Sequence, residues 1–178
     1  MHVEVTDLIV PQVGEDPEAL RILARRIVDR LGPDTPLHLL RWHPDYRMLD
    51  LPSTPVPTLE RLHAIARSEG LRFVYLGNVG AHRLGHTYCP NCGDLGVERE
   101  GFALRSWNLT ESNACRGCGE RLPIVGRPPE DYVPIGPRPL SEGFRDPSRV
   151  AVPARGRQVG APCDARPRSR HWGSWSLS

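Results

Sequence analysis

No lysine occurs anywhere in the chain; all 23 basic residues are arginine. Such uniformity points to a GC-rich coding sequence sooner than to a selected arginine surface, so the arginine count makes no case for a nucleic-acid partner. Long hydrophobic runs are also missing: none approaches the roughly 18 residues that a bilayer-spanning helix needs. The N-terminus lacks a basic stretch followed by an apolar one, the mark of a secretory leader. A soluble, cytoplasmic protein with no membrane partner is expected. The first 88 residues contain no cysteine, which excludes a thiolate-held cofactor from that half of the chain. No serine stands in a Gly-x-Ser-x-Gly setting, and Gly77-Asn78-Val79-Gly80 is too short and too late in its segment to be a dinucleotide fingerprint.

Charge is near balance over the 178 residues but unevenly spread: residues 1–126 carry 14 Arg against 16 acids, whereas 127–178 carry 9 Arg against 5. The same 127–178 stretch holds 9 Pro and 5 Gly without apolar periodicity. By composition it is a disordered tail rich in Pro and Arg, most simply without function. An arm that binds nucleic acid, with Trp172 and Trp175 as stacking platforms, is the alternative. Cys163 lies alone in this tail and reads as a free thiol without a role.

The other four cysteines form two Cys-x-x-Cys pairs, Cys89/Cys92 and Cys115/Cys118, separated by 22 residues and each followed at once by glycine, Gly93 or Gly119. Two thiolates can aim at one ion about 2.3 Å away only if the chain turns tightly between them, and the glycine lets the backbone turn back without a Cβ clash. Between the pairs, Leu95 and Val97 alternate with polar neighbours, Glu100-Gly101 offers a turn, and Phe102 and Leu104 alternate again. The pattern predicts a zinc ribbon over 81–126. An iron or iron–sulfur site in the same four-thiolate set, or a pair of disulfides, are the alternatives. His82 and His86 precede the first knuckle, but four cysteines already close a tetrahedral site, so both are expected to be loop residues.

Residues 1–80 read as βαβαβ. Val3 to Val10 is rich in β-formers; Asp16 can cap a helix that has Pro17 in its first turn and carries Leu20, Leu23, Ala24, Ile27, Val28 and Leu31 on one face before Gly32-Pro33. A strand at Leu37–Trp42, a proline-rich loop, a helix with Leu59, Leu62, Ile65 and Ala66 ending at Gly70, and a strand over Leu71–Val79 complete the unit. Crossovers of this length imply a parallel sheet with right-handed connections. Helices on one face alone leave the other open, so this sheet should require more cover than residues 1–80 provide.

Several of these segments carry a resemblance. Glu4-Val5-Thr6, Leu31-Gly32-Pro33-Asp34-Thr35-Pro36-Leu37-His38, Arg41-Trp42-His43-Pro44-Asp45-Tyr46-Arg47-Met48, Tyr75-Leu76-Gly77-Asn78-Val79 and Thr87-Tyr88-Cys89-Pro90-Asn91-Cys92-Gly93 look like the C-terminal half of the AmmeMemoRadiSam system radical SAM enzymes, relatives of the pyruvate formate-lyase activating enzymes. The similarity runs to about residue 126. It implies that residues 1–80 supply the last βα units of a partial (β/α)6 TIM-like barrel, that the ribbon is appended, and that the whole enzyme cleaves S-adenosylmethionine reductively with a [4Fe-4S] cluster. It further implies that His43, at the C-terminal end of a late barrel strand, contacts S-adenosylmethionine, with Asp45 and Tyr46 in the same loop. Memo-like and AMMECR-like proteins are the partners the resemblance brings with it. The family's Cys-x3-Cys-x2-Cys cluster motif does not occur in this sequence. The expectation is therefore a fragment, inactive alone and joined to the missing N-terminal half of the barrel; a non-catalytic zinc-ribbon binding module, or a remnant without function, is the alternative.

Overall fold

The computed structural model describes residues 2–133. The chain divides into two units, 1–139 and 140–178, and all the described residues belong to the first. Most of the expected tail, with Cys163, Trp172 and Trp175, lies outside the described residues.

The first half folds as β1 (Val5–Ile9), α1 (Pro17–Leu31), β2 (Leu37–Arg41), α2 (Val56–Ser68) and β3 (Val74–Gly77). Asp16 caps α1 by accepting the Glu18 amide at 2.9 Å, and Pro17 opens the helix where its missing N–H costs nothing. The strands lie side by side in the order β1-β2-β3, all parallel, with Val5 opposite Leu37 and Leu37 opposite Val74. Alternation then sorts the faces. Ile9, Leu37, Leu39, Val74 and Leu76 are buried in one core with Leu20, Ala24 and Ile27 of α1 and Leu59, Leu62 and Ala66 of α2. Glu69, just past α2, ties the helices together through Arg21 at 2.6 Å and Arg25 at 2.7 Å.

Within this half, β3 and the end of α1 differ from expectation. The third strand is shorter than Leu71–Val79, because Leu71 and Arg72 turn aside: the Arg72 amide donates to the Pro33 carbonyl, and Asn78 at a φ of 59° ends the strand. Leu31 ends α1 half exposed, outside the buried stripe.

A single 3₁₀ turn, Arg83–Gly85, leads into a second, antiparallel sheet, β4 (Thr87–Tyr88), β5 (Leu95–Glu100) and β6 (Ala103–Trp107), in that order. A bulge at Glu98/Arg99 shifts the pairing, so Glu100 faces Ala103 across a two-residue turn of Gly101 and Phe102. Phe102 was expected to alternate within the strand; it sits in the turn and is fully exposed, while Ala103 takes the inward position. Residues 127–133, assigned to the tail by composition, run back over the hairpin, where the Tyr132 hydroxyl accepts the Leu104 amide at 2.9 Å.

The second face of the parallel sheet is half covered. Over β3, Phe73 joins the core of the antiparallel sheet and the Tyr75 hydroxyl meets the Thr87 hydroxyl at 3.0 Å. Over β1, Thr6 and Leu8 remain exposed. Three parallel strands make an open sheet, and the described residues contain no closed barrel.

Candidate metal centre

The two knuckles are copies of one turn. In the first, the Cys89 amide donates to the Asp94 carbonyl at 2.8 Å and the Gly93 amide to the Cys89 carbonyl at 2.9 Å; in the second, Cys115 donates to Glu120 at 2.8 Å and Gly119 to Cys115 at 2.9 Å. Gly93 and Gly119 have φ values of 82° and 78°, a left-handed backbone that a Cβ would strain. Each turn buries its first cysteine and leaves its second at the surface.

The four Sγ atoms all lie within 4.8 Å of one another, with Cys89 to Cys118 and Cys92 to Cys115 both 3.5 Å. A disulfide needs about 2.05 Å between sulfurs, so no pair is bonded. Four thiolates around one ion at about 2.3 Å stand about 3.8 Å apart, close to the spacing seen. The donor set therefore fits a single soft or borderline divalent ion in a closed tetrahedral site. Zinc and iron share that geometry.

Electrostatics differ between the two surface thiols. Cys118 is held down to about 7 by a hydrogen bond from the Asn91 side chain and by the Glu120 amide. At Cys92 the Asp94 amide pulls the same way, but burial of the charge and the bonds shared with Cys118, Cys115 and Cys89 outweigh it and push the thiol up. Four negative sulfurs this close repel strongly, and a dication offsets that repulsion. Asp94 and Glu120 each stand two residues after the last cysteine of a pair, where the knuckle turns a backbone N–H toward sulfur. Spacing alone would have found them. Asn91 reaches across to the opposite knuckle, and nothing local in the sequence announces that.

The histidines stay outside the centre. His82 Nδ1 accepts the Leu84 amide at 3.2 Å while Nε2 faces Glu60 at 3.3 Å, and His86 Nδ1 accepts the Arg99 amide at 3.2 Å. His63, on α2, donates to the Val74 carbonyl at 3.1 Å; burial, against that bond, lowers its pKa to about 4.

His43 lies just beyond the C-terminal end of β2, exposed, with Nδ1 3.3 Å from the Pro44 carbonyl that it can donate to. Asp45 and Met48 bridge to make a tight turn; the Asp45 carboxylate accepts the Tyr46 amide at 2.7 Å, Tyr46 adopts a φ of 51°, and Arg47 lies over its ring. Thr54, fully buried, anchors the loop. Its hydroxyl donates to the Ile9 carbonyl at the end of β1 and accepts the Trp42 amide, and its own amide donates to the Trp42 carbonyl. Metal centre and His43 loop are separate features of the fold: no ligand sulfur belongs to the loop and no loop residue enters the cysteine cluster.

No protein-family model matches the chain, and no solved structure matches it. The chain is similar to the uncharacterized protein MJ0808 of Methanocaldococcus jannaschii, with 47% identity over 124 residues. The matched stretch is 69% of this chain but 37% of that protein, so the chain spans little more than a third of its relative's length. Among the described residues, no helix is long and apolar enough to cross a membrane.

Proposed function

We propose that the chain is the C-terminal portion of a radical SAM enzyme, supplying the last βα units of its barrel, with the four-cysteine ribbon as an appended structural zinc module. The observation that carries this reading is the arrangement of three parallel strands with both helices on one face and a loop bearing His43 fixed at their C-terminal rim by Thr54. Chemistry in βα barrels gathers at that rim. The uncovered face over β1 is the side such a barrel turns inward, and Thr6, Leu8, His38 and Leu40 would line it. In this reading His43 contacts S-adenosylmethionine once the barrel is complete.

The chain's own residues do not fit the [4Fe-4S] cluster of that chemistry. It has five cysteines; four share one closed site and Cys163 stands alone, so no three-thiolate set remains to hold a cluster with an open iron. Such a cluster, where held, supplies the electron that cleaves the sulfonium. The part assigned to this chain is to complete the barrel and present His43.

A second reading, a non-catalytic metal-ribbon binding module, is favoured by the same closed site, since closed four-cysteine centres ordinarily serve folding. Activity separates the two. The full chain, reconstituted anaerobically with iron, sulfide and dithionite, is expected to yield no 5′-deoxyadenosine from S-adenosylmethionine. Adding, as a second polypeptide, the part of the Methanocaldococcus relative left uncovered by the match is expected to restore it. In that joined enzyme His43→Ala should weaken S-adenosylmethionine binding about tenfold, the worth of one good hydrogen bond. Product from the isolated chain, or none from the joined one, contradicts the first reading.

A further inference from the structure

The parallel sheet and the ribbon are built into one another at β3. Val74 and Leu76 point to the helices, but Phe73 is buried with Val97, Leu109, Leu122 and two of the ligands, Cys89 and Cys115. Phe73 also carries the first rung toward β2, since its carbonyl accepts the Leu37 amide at 3.0 Å. Arg72 beside it binds Asp34, which precedes β2, at 2.9 Å and Glu120, which follows the second knuckle, on its other side. The Glu120 carbonyl takes the Cys115 amide. Tyr75 completes the seam: its ring stacks on His38 at 5.2 Å, lies under Arg99 of β5, and its hydroxyl meets Thr87. No residue of β1 or α1 belongs to the ribbon's core.

We propose that metal binding at the four cysteines is the folding switch of β3: the ion orders the knuckles, the knuckles seat Phe73 and Arg72, and the third strand keeps its place on β2 only in the metal-loaded chain. The physical basis is linkage. A ribbon this small has too little core to fold without its ion, so binding energy is folding energy there. When the knuckles open, Phe73 loses its partners in the ribbon core and Arg72 loses Glu120, so this four-residue edge strand keeps only its rungs to β2 and the packing of Val74 and Leu76 on the helices. β1, β2 and α1 keep their own contacts. Linkage is reciprocal, so groups that join β3 to the knuckles must raise the affinity for the ion without touching it. This packing, and the coupling it creates, are independent of whatever reaction the whole protein performs.

The test uses the full chain loaded with zinc and then stripped by a chelator, followed by amide hydrogen exchange. Stripping is expected to accelerate exchange at Phe73–Gly77 at least tenfold along with the knuckles, while Val5–Ile9 and α1 change less than twofold. Protection of β3 that survives loss of the knuckles overturns the proposal, and so does an even loss across α1 and β1, which would make the ion a global rather than a local switch. Zinc affinity, measured by competition with a chromophoric chelator, should fall threefold to tenfold in Phe73→Leu and in Glu120→Gln but not in Arg21→Ala. Equal affinity in all three variants also overturns it.

Discussion

At the scale of single residues, Thr54 shows how a buried hydroxyl fixes a loop at the C-terminal end of the parallel strands. It satisfies the last carbonyl of β1 and the amide of Trp42 at once. Thr54→Val keeps the shape but strands both groups, and a loss of about 2 kcal/mol is expected in urea unfolding, with His43 freed from its loop. His63 makes the fold sensitive to acid. Its pKa falls from an ordinary value near 6.5 to about 4 because burial disfavours its charged form. The unfolded chain thus binds the proton first, and stability present above about pH 6.5 is lost as pH falls toward 4, by something on the order of 2 kcal/mol at the acid end after allowance for its partial exposure. In the zinc-loaded chain, His63→Gln should flatten the stability profile between these values; an unchanged slope would remove His63 as its cause. The knuckles were legible at this scale because everything they need lies within six residues: two thiols, a turn and a glycine. Phe73 was not. Its choice of the ribbon core over the helical core is decided by residues up to 49 positions away.

At the scale of elements, α1 was readable from end to end, since Asp16, Pro17 and Gly32 are local signals that no tertiary contact overrides. Strand ends were less so. The ribbon strands break simple alternation twice: Gly96 and Val97 are both buried where β4 meets β5 with a register shift, and the bulge at Glu98/Arg99 sends Phe102 into the turn; a bulge answers to closure of paired strands, which the pattern of either strand alone does not contain. β1 is the exposed element. It is an edge of a parallel sheet with Leu8 43% exposed on the uncovered face, a surface prone to self-association. Sedimentation velocity of the isolated chain should therefore show association, and Leu8→Lys should reduce it while changing stability by less than about 1 kcal/mol. Association indifferent to Leu8 would mean that another surface is responsible.

At the scale of the molecule, a four-cysteine ribbon covers the β3 side of a three-stranded parallel sheet and leaves its β1 side open. The match to the Methanocaldococcus protein covers 37% of that protein's length. The order of strands and helices was legible because hydrophobic periodicity and crossover length fix it. How the ribbon meets the sheet was not, because Arg72, Phe73 and Tyr75 look like ordinary strand residues until their partners arrive from sequence positions beyond 86. Everything at this scale depends on four thiolates converging on one ion. Native mass spectrometry of the full chain measures this directly. One divalent ion per chain is predicted, zinc rather than iron, and none should remain after Cys92→Ser. A chain that flies without metal and four hydrogens lighter, its knuckle cysteines oxidised to two disulfides, would contradict it.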